Sequence, residues 1–476
     1  MIDAHRGSAA STPGGGSAPQ TLPDPLPAAP LPAVRPSVAL LTDRYELTML
    51  AAALADGTAH RHCVFEVFTR RLPPGRRYGV LAGTGRVLEA LAHFRFTDDE
   101  LTYLERAGVV DDRTLDFLRG YRFTGTILGY AEGEMFFPGS PVMQVEGTFA
   151  EAVVLETLVL SILNYDSAIA SAASRMTSAA VDRPVLEMGS RRAHEQAGVA
   201  AARAAVVAGF AGSSNLEAGM RYGIDTIGTA AHAFTLLHDD EPSAFASQVA
   251  SLGPGTTLLV DTYDVRRGVE NAVAAAGTGL GAVRLDSGDL GVQAVEVRRQ
   301  LDELGATGTK IVVTSDLDEH AIASLAAVPV DVYGVGTSLV TGSGAPTCGM
   351  VYKLVARSDD TGVLQPVAKA SAHKRSTGGR KAAARRYDAT GRAVEEVLVT
   401  GPDDRVTSWS PPESDGDLRT LLVPLVVDGA VDSRWVGAYG VQNATLHHAQ
   451  ARAELPRGAR RLSDGDPAIP TVELAL

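Results

Sequence analysis

The amino-acid sequence predicts an α/β protein whose central part is an irregular βα barrel, preceded and followed by an α+β portion. Three observations support this reading. Short apolar runs recur near Val185–Met188, Ala208–Ala211, Ile224–Ile227, Thr257–Val260, Ala282–Leu285, Lys310–Thr314 and Val330–Tyr333, mostly separated by Ala-rich helical stretches. That is the rhythm of parallel strands joined by crossover helices. Each run is followed by small polar or charged residues, as in Gly189-Ser-Arg-Arg192, Gly212-Ser-Ser-Asn215, Asp261-Thr-Tyr-Asp264, Asp286-Ser-Gly-Asp289 and Ser315-Asp-Leu-Asp318. Polar chemistry thus gathers at the carboxyl ends of the strands, where a βα barrel assembles its site. Outside this central part the rhythm is lost. Seven units imply an irregular barrel or one lacking a strand, and a doubly wound open sheet has the same period.

In chain order, residues 1–36 are rich in Ala, Pro, Gly and Ser without an apolar h-region, and read as a disordered extension rather than a secretory signal. Thr42–Asp56 has helical spacing of Leu47, Leu50 and Leu54, with Thr42 or Asp43 able to cap it. Val64–Thr69 alternates as a strand and ends at the Pro73-Pro-Gly75 turn. Helices are expected around Val80–Phe94, Asp98–Arg106 and Asp111–Arg119, short strands within Thr126–Gln144, and an apolar helix over Ala150–Tyr165. After about Met350 strands and loops return, including the cationic run Lys369–Arg386, and the last stretch from about Gly437 reads as a helix-containing tail. The expected domains are 37–165 completed by 351–436, the barrel at 166–350, and the tail at 437–476.

Composition narrows the function. The 476 residues carry 43 Lys+Arg against 56 Asp+Glu, a net charge of −13, which argues against a nucleic-acid coat or polybasic membrane binder while allowing a local anion pocket. Cys63 and Cys348 stand far apart without a CxxC, so neither a disulfide framework nor a Cys-based zinc site is expected, and the compartment should be reducing.

Several strand-end loops suit a phosphorylated substrate. In Gly334-Val-Gly-Thr-Ser338, glycines let the backbone approach an anion and hydroxyls add donors, although a plain strand-to-helix turn reads the same way. Asp286 and Asp289, preceded by Arg284, set carboxylates about a tight turn that could hold Mg²⁺ or sugar hydroxyls, or simply cap the next helix. The arginine pairs at 70–71 and 191–192 suit multidentate phosphate binding, or a solvated surface. A lone His232 is more often structural, but beside such loops an imidazole is a candidate phosphoryl acceptor or acid–base group; His194 and His373 also lie near candidate loops.

Five blocks in order make the pattern specific. Thr42-Asp-Arg-Tyr-Glu-Leu-Thr-Met49, Phe65-Glu-Val-Phe-Thr-Arg-Arg-Leu-Pro73, Gly228-Thr-Ala-Ala-His-Ala-Phe234, Val283-Arg-Leu-Asp-Ser-Gly-Asp-Leu290, and Gly336-Thr-Ser-Leu-Val-Thr341 with Val351-Tyr-Lys-Leu-Val355 resemble nicotinate phosphoribosyltransferases, over about residues 38 to 400. The resemblance implies a type II phosphoribosyltransferase fold, an irregular α/β barrel beside a domain built from N- and C-terminal segments, and a cytoplasmic homodimer with shared active sites. It implies nicotinate and phosphoribosyl pyrophosphate as substrates, ATP as co-substrate and Mg²⁺ as cofactor. By the same resemblance Tyr45 would stack on the pyridine from the neighbouring subunit, His232 would be transiently phosphorylated, and Thr229 and Arg284 would contact nicotinate. Asp286 and Asp289 would face ribose or Mg²⁺, and Gly336 and Thr337 the 5-phosphate, with Arg70, Arg191, Ser214, Asn215 and Ser315 completing the substrate-binding set. Lys369, Ser371 and Lys374 resemble a family KxSxxK stretch, after which Thr377-Gly-Gly-Arg-Lys381 lacks the family's Pro. Quinolinate phosphoribosyltransferase shares the fold type and donor but lacks the GTxAH block. A phosphosugar aldolase or isomerase would normally want a strand-end Lys or carboxylate base, and no Lys stands at a strand end before Lys310. A non-catalytic relative would be expected to lack Tyr45, His232 or Asp286.

Overall fold

The computed structural model describes residues 37–369, 377–412 and 417–476; the extension expected over 1–36, and Ser371, His373 and Lys374, lie outside the described residues. Two large sheets organise the rest. The first has seven strands in the order Leu364–Pro366, Met350–Ser358, His62–Thr69, Met143–Thr148, Thr126–Tyr130, Leu422–Val427 and Ala430–Val431. Its pairs are antiparallel, and Phe65 sits opposite both Val145 and Leu354. All but the first residue of His62–Thr69 are buried, because both neighbouring strands and the layers above and below cover it.

The second sheet is parallel, in the order Gly212–Ser213, Val185–Glu187, Val332–Val335, Lys310–Val313, Ala282–Leu285 and Thr257–Leu259. Its strands are short and almost continuously apolar, as parallel strands covered on both faces must be. The core under them includes Leu258, Val283, Leu285, Ile311, Val313, Tyr333 and Val335.

The seven expected units reduce to six strands and one bridge. Ala208–Ala211 is the end of the helix Glu195–Val207 and its turn, with Phe210 buried as a core plug, and the strand begins only at Gly212. Ile224–Ile227 contributes the single bridge of Thr226 to Ser213. Apolar content alone did not distinguish a buried turn from a strand. The sheet is therefore a half-barrel, open between Thr226 and Thr257, and the Gly228–His232 segment lies in the chain between those edges.

The helix expected over Ala150–Tyr165 is two helices, Phe149–Val153 and the 25-residue Glu156–Ala180. Thr148 and Glu151 form a capping box that starts the first. The second runs past Tyr165 because its polar residues have buried partners. Ser171 Oγ accepts from Val80 N at 2.9 Å, Ser167 Oγ accepts from Ala82 N at 3.1 Å, and Asp166 pairs with Arg86 at 2.7 Å. These serines satisfy backbone donors of a segment that would otherwise lie unpaired against a helix.

Elsewhere the local signals hold with shifted ends. Arg44–Asp56, Thr84–Ala92, Asp98–Arg106 and Asp112–Arg119 are helical. Asp43 stands at the N-cap of the first, but its side chain makes no capping bond; Thr42 instead donates to Glu46. The tail forms the helix Gly437–Glu454 and the strand Thr471–Ala475, which pairs in parallel with Ala393–Thr400 in a four-stranded sheet.

The cationic run has a structural destination at its C-terminal end. Arg385, fully buried, donates to Glu134 at 2.5 Å and to Glu396 at 2.8 Å; Lys381 donates to Glu66 at 2.9 and 3.0 Å, and Arg380 grips Glu146 at 2.5 and 2.8 Å. Burial pushes the Glu134 carboxyl up, but Arg385, His447 and Arg419 outweigh it and hold the group well below its ordinary 4.5.

Replacing Arg385 with Met would leave Glu134 and Glu396 without their shared cation, so it should destabilise the protein by about 3–5 kcal/mol, read as a lowered urea midpoint. Because Glu134 is held low in the folded state, its contribution is complete above the ordinary 4.5 and is lost as pH falls below it, so the difference between wild type and Arg385→Met should shrink in acid. An unchanged midpoint at neutral pH would show the pair to be dispensable.

Candidate active site

The polar side chains converge where strand alternation demands it. On Ala282–Leu285, Val283 and Leu285 point into the apolar core, which turns Arg284 to the other face. There its guanidinium donates from Nε to Thr314 Oγ1 at 3.0 Å and from Nη1 to Thr229 Oγ1 at 3.1 Å, and Nη2 lies 3.2 Å from Asp286 Oδ1. Thr314 also donates to Asp286. One cation thus ties the ends of neighbouring parallel strands to the Gly228–His232 segment.

His232 begins the short helix His232–Leu237. Its Nδ1 is 3.0 Å from Thr262 Oγ1, while Nε2 faces two carboxylates, Asp286 Oδ2 at 3.9 Å and Asp261 Oδ1 at 4.0 Å. The Asp261 side chain is only 2% exposed. Its Oδ2 accepts from Asp286 N at 2.8 Å and Ser287 Oγ at 2.9 Å, yet its Oδ1 is buried without a hydrogen-bond partner. A buried carboxylate oxygen in that state is costly unless a proton, cation or ligand answers it.

An anion-suited wall faces this cluster. Met188, Arg191, Arg192, Ser315, Asp316, Gly334, Gly336 and Thr337 enclose a cavity of 210 Å³ with Arg284, Asp286 and Thr314. Gly189 is required by close approach of two strand-end loops, since a Cβ there would lie 2.4 Å from Val340 Cγ1 and 2.8 Å from the Gly336 carbonyl. Ser315 holds φ at +124°, a region L-residues rarely occupy, and strained backbone of this kind collects at functional sites.

The structure brings together Thr229, His232, Arg284 and Asp286 by direct contact, and Arg191, Ser315, Gly336 and Thr337 around the same cavity. Other expected residues are elsewhere engaged. Asp289 caps the helix Leu290–Glu303 through Val292 N at 3.1 Å and does not line the cavity. Asn215 caps Leu216–Tyr222 and donates to Ser190 Oγ at 2.9 Å, Ser214 N bonds to Glu187 O, and exposed Arg70 lies over the Phe68 ring at 5.7 Å. Tyr45 is 45% exposed and lines no part of its own chain's cavity; burial, then Glu156 and Glu46, push its phenol up to about 12, so the ring stays neutral.

Asp261, Thr314 and Asp316 join the site although sequence reasoning did not select them. Their signal was position alone: each stands at the carboxyl end of a parallel strand. Among the described residues no group of three or more His, Cys, Asp or Glu side chains is placed to hold a metal. No helix among them is long and apolar enough to cross a membrane.

Comparison with known proteins places the chain in a family. Residues 40–164 match the family model of the nicotinate phosphoribosyltransferase N-terminal domain. A nicotinate phosphoribosyltransferase of Mycobacterium tuberculosis is 59% identical over 440 residues, covering 91% of this chain and 94% of that protein. The Bacillus subtilis enzyme of that name is 39% identical over 380 residues, 78% of this chain and 77% of its own. The crystal structure of human nicotinic acid phosphoribosyltransferase superposes with a TM-score of 0.76 at 26% identity, covering 91% of this chain and 97% of that one. A nicotinate-nucleotide pyrophosphorylase from Pyrococcus furiosus superposes with a TM-score of 0.70 at 26% identity, covering 88% and 97%. The curated relatives, matched over most of their length, show that the chain belongs to the nicotinate phosphoribosyltransferase family and is an enzyme of that activity.

Proposed function

We propose that the chain joins nicotinate to phosphoribosyl pyrophosphate, releasing pyrophosphate, in the cytoplasmic salvage route to NAD, and that ATP drives the reaction through phosphorylation of His232. The observation that carries this reading is the Arg284–Asp286–His232 cluster, a cation at 3.2 Å from a carboxylate that itself lies 3.9 Å from an imidazole, opening on an anion-suited wall. The pyridine nitrogen attacks C1 of the ribose, the bond from C1 to the pyrophosphate oxygen breaks, and the electron pair leaves with pyrophosphate. Arg284 meets the nicotinate carboxylate with Thr229 beside it, Gly336 and Thr337 receive the 5-phosphate, and Arg191 faces the leaving group.

In the ATP step a ring nitrogen of His232 attacks the γ-phosphorus, the bridging bond to the β-phosphate breaks, and ADP departs. Thr262, with its hydroxyl 3.0 Å from Nδ1, holds the ring for that attack. Mg²⁺ fits the donor set here: the unpartnered oxygen of Asp261 and the nearby Asp286 are hard oxygen ligands, and this ion usually takes one or two carboxylates plus phosphate oxygens. When bound it would neutralise charge on the pyrophosphate. Asp289, committed to its helix, would act on this site only through the turn it shares with Asp286.

We further propose a homodimer in which Tyr45 enters the partner's site. Its exposure and its absence from its own cavity support that arrangement. Residues 37–165 with 351–436 would form one body and 166–350 the other, since the seven-stranded sheet draws its strands from the former and the parallel sheet from the latter.

The defining assay supplies nicotinate, phosphoribosyl pyrophosphate and Mg²⁺ with and without ATP and measures mononucleotide and pyrophosphate. His232→Ala should uncouple ATP hydrolysis from synthesis while leaving the protein folded; turnover with γ-labelled ATP that leaves His232 unmodified would refute the coupling. Arg284→Ala should raise the KM for nicotinate tenfold to a hundredfold, on the order of 1–3 kcal/mol, well beyond its effect on the donor, and should narrow the preference for the acid over nicotinamide. If only the donor is weakened, Arg284 reads phosphate instead. Mixing inactive Tyr45→Ala and Asp286→Ala subunits should restore partial activity, because some heterodimers keep one intact site; no recovery after proven subunit exchange would count against the shared site.

A further inference from the structure

The loop that follows the last parallel strand is held in an unfavourable shape from behind. Gly342, Ser343 and Gly344 have φ of +68°, +48° and +82°, three successive left-handed residues of which the middle one carries a side chain. A non-glycine residue persists there only when its surroundings over-determine it. Those surroundings converge on one carboxylate. Glu319 Oε2 accepts from Ser343 Oγ at 2.5 Å, and Oε1 accepts from Arg76 Nη1 at 3.0 Å and Arg175 Nε at 2.9 Å. Arg76 then donates from Nη2 to the carbonyls of Gly342 at 2.8 Å and Ser343 at 3.2 Å. Arg175 reaches Gly75 O at 2.8 Å and Leu462 O at 3.1 Å. The side chains of Glu319, Arg76 and Arg175 are 2%, 5% and 8% exposed, so water competes little for these bonds.

The other end of the same loop is the catalytic cavity. Thr341 Oγ1 donates to Thr337 O at 2.8 Å and Ser343 N to Ser338 O at 2.6 Å, which couples the left-handed turn to the residues beside the cavity. Behind the loop lies an open groove of 830 Å³ bounded by Arg76, Arg175, Glu319 and Ser343. Thr337 and Asp316 line both spaces and form the wall between them. A shift of the turn is therefore delivered to Thr337.

We infer that Glu319 is a positioning residue for the ribose donor: through Ser343 and Arg76 it sets the loop so that Gly336 and Thr337 present their donors to the 5-phosphate. The inference rests on the reading that these two residues hold that phosphate. A residue serving stability alone would change the melting temperature and leave the balance between the two substrates untouched. A positioning residue changes binding of one substrate selectively, because misplacing a donor costs contact energy with that group only.

The test compares Ser343→Ala, Ser343→Gly, Glu319→Gln and Thr337→Val in the full chain, with separate KM values for phosphoribosyl pyrophosphate and nicotinate, kcat, and thermal unfolding. Ser343→Ala loses only the hydroxyl bond and should raise the donor's KM about five- to tenfold with nicotinate KM within about twofold. Ser343→Gly relieves the backbone strain yet should show the same split, which separates the bond from the strain. Glu319→Gln should act in the same direction more strongly; if it fails to fold, the two Ser343 variants decide the matter. If Thr337→Val weakens the donor and neither Ser343 variant does, the inference is overturned. If Thr337→Val leaves the donor's KM unchanged, the phosphate assignment fails and the inference with it.

Discussion

Acidic side chains from the first third of the chain must be neutralised inside the protein by cations that arrive some 230 to 315 residues later. Glu66 waits for Lys381, Glu134 for Arg385 and Arg419, and Glu146 for Arg380. Each carboxylate left alone in the interior would be strongly unfavourable, whereas each pair well met is close to neutral in free energy. The consequence is specificity of assembly. The strand His62–Thr69 pairs with Met350–Ser358 on one side and Met143–Thr148 on the other, so early and late segments close one sheet.

The edge strands of the parallel half-barrel, Gly212–Ser213 and Thr257–Leu259, do not meet; the second half of the long helix Glu156–Ala180, from Ile169 on, packs in one core with the parallel strands, and its first half packs in the core of the seven-stranded sheet. The gap falls in the part of the chain that carries Thr229 and His232. An imidazole placed there is half-buried, with carboxylates on one side and solvent access on the other, conditions that suit the phosphoryl transfer proposed for it. Arg284 spans the strand ends to Thr229 and so ties the histidine segment to the carboxyl ends of the parallel strands.

Buried carboxylates play two further parts. Burial raises Glu187, and its oxygens accept from Gly189 N and Ser213 Oγ, both at 2.5 Å, bracing the turn that leads to Arg191. Glu319, by contrast, is held below its ordinary value: burial pushes it up, but hydrogen bonds from Ser343 and Arg175, with Arg76, outweigh that effect. The site residues therefore stand on a lower layer of charged groups that does not itself touch the cavity's central cluster.

The local code was legible wherever it was strong. The helix start at Asp111, the Pro73-Pro-Gly75 turn and the apolar runs at Ala282, Lys310 and Val330 mark their elements without help, because each signal acts over a few residues. The blocks around Tyr45, His232, Arg284, Asp286 and Thr337 likewise named the family from sequence. Several features needed the folded chain. The run at Ala208–Ala211 is as apolar as a strand, and only its burial as a helix end shows otherwise. Asp166, Ser167 and Ser171 broke the helical pattern because the partners that bury them, Arg86, Ala82 and Val80, lie some 80 to 90 residues away. Asp261 and Asp289 stand in similar strand-end loops, and sequence cannot tell which faces His232 and which caps a helix. Composition, periodicity and motif order were determined by the sequence alone; which carboxylate meets which cation was decided by tertiary structure, because that choice depends on distances between segments that no local spacing encodes.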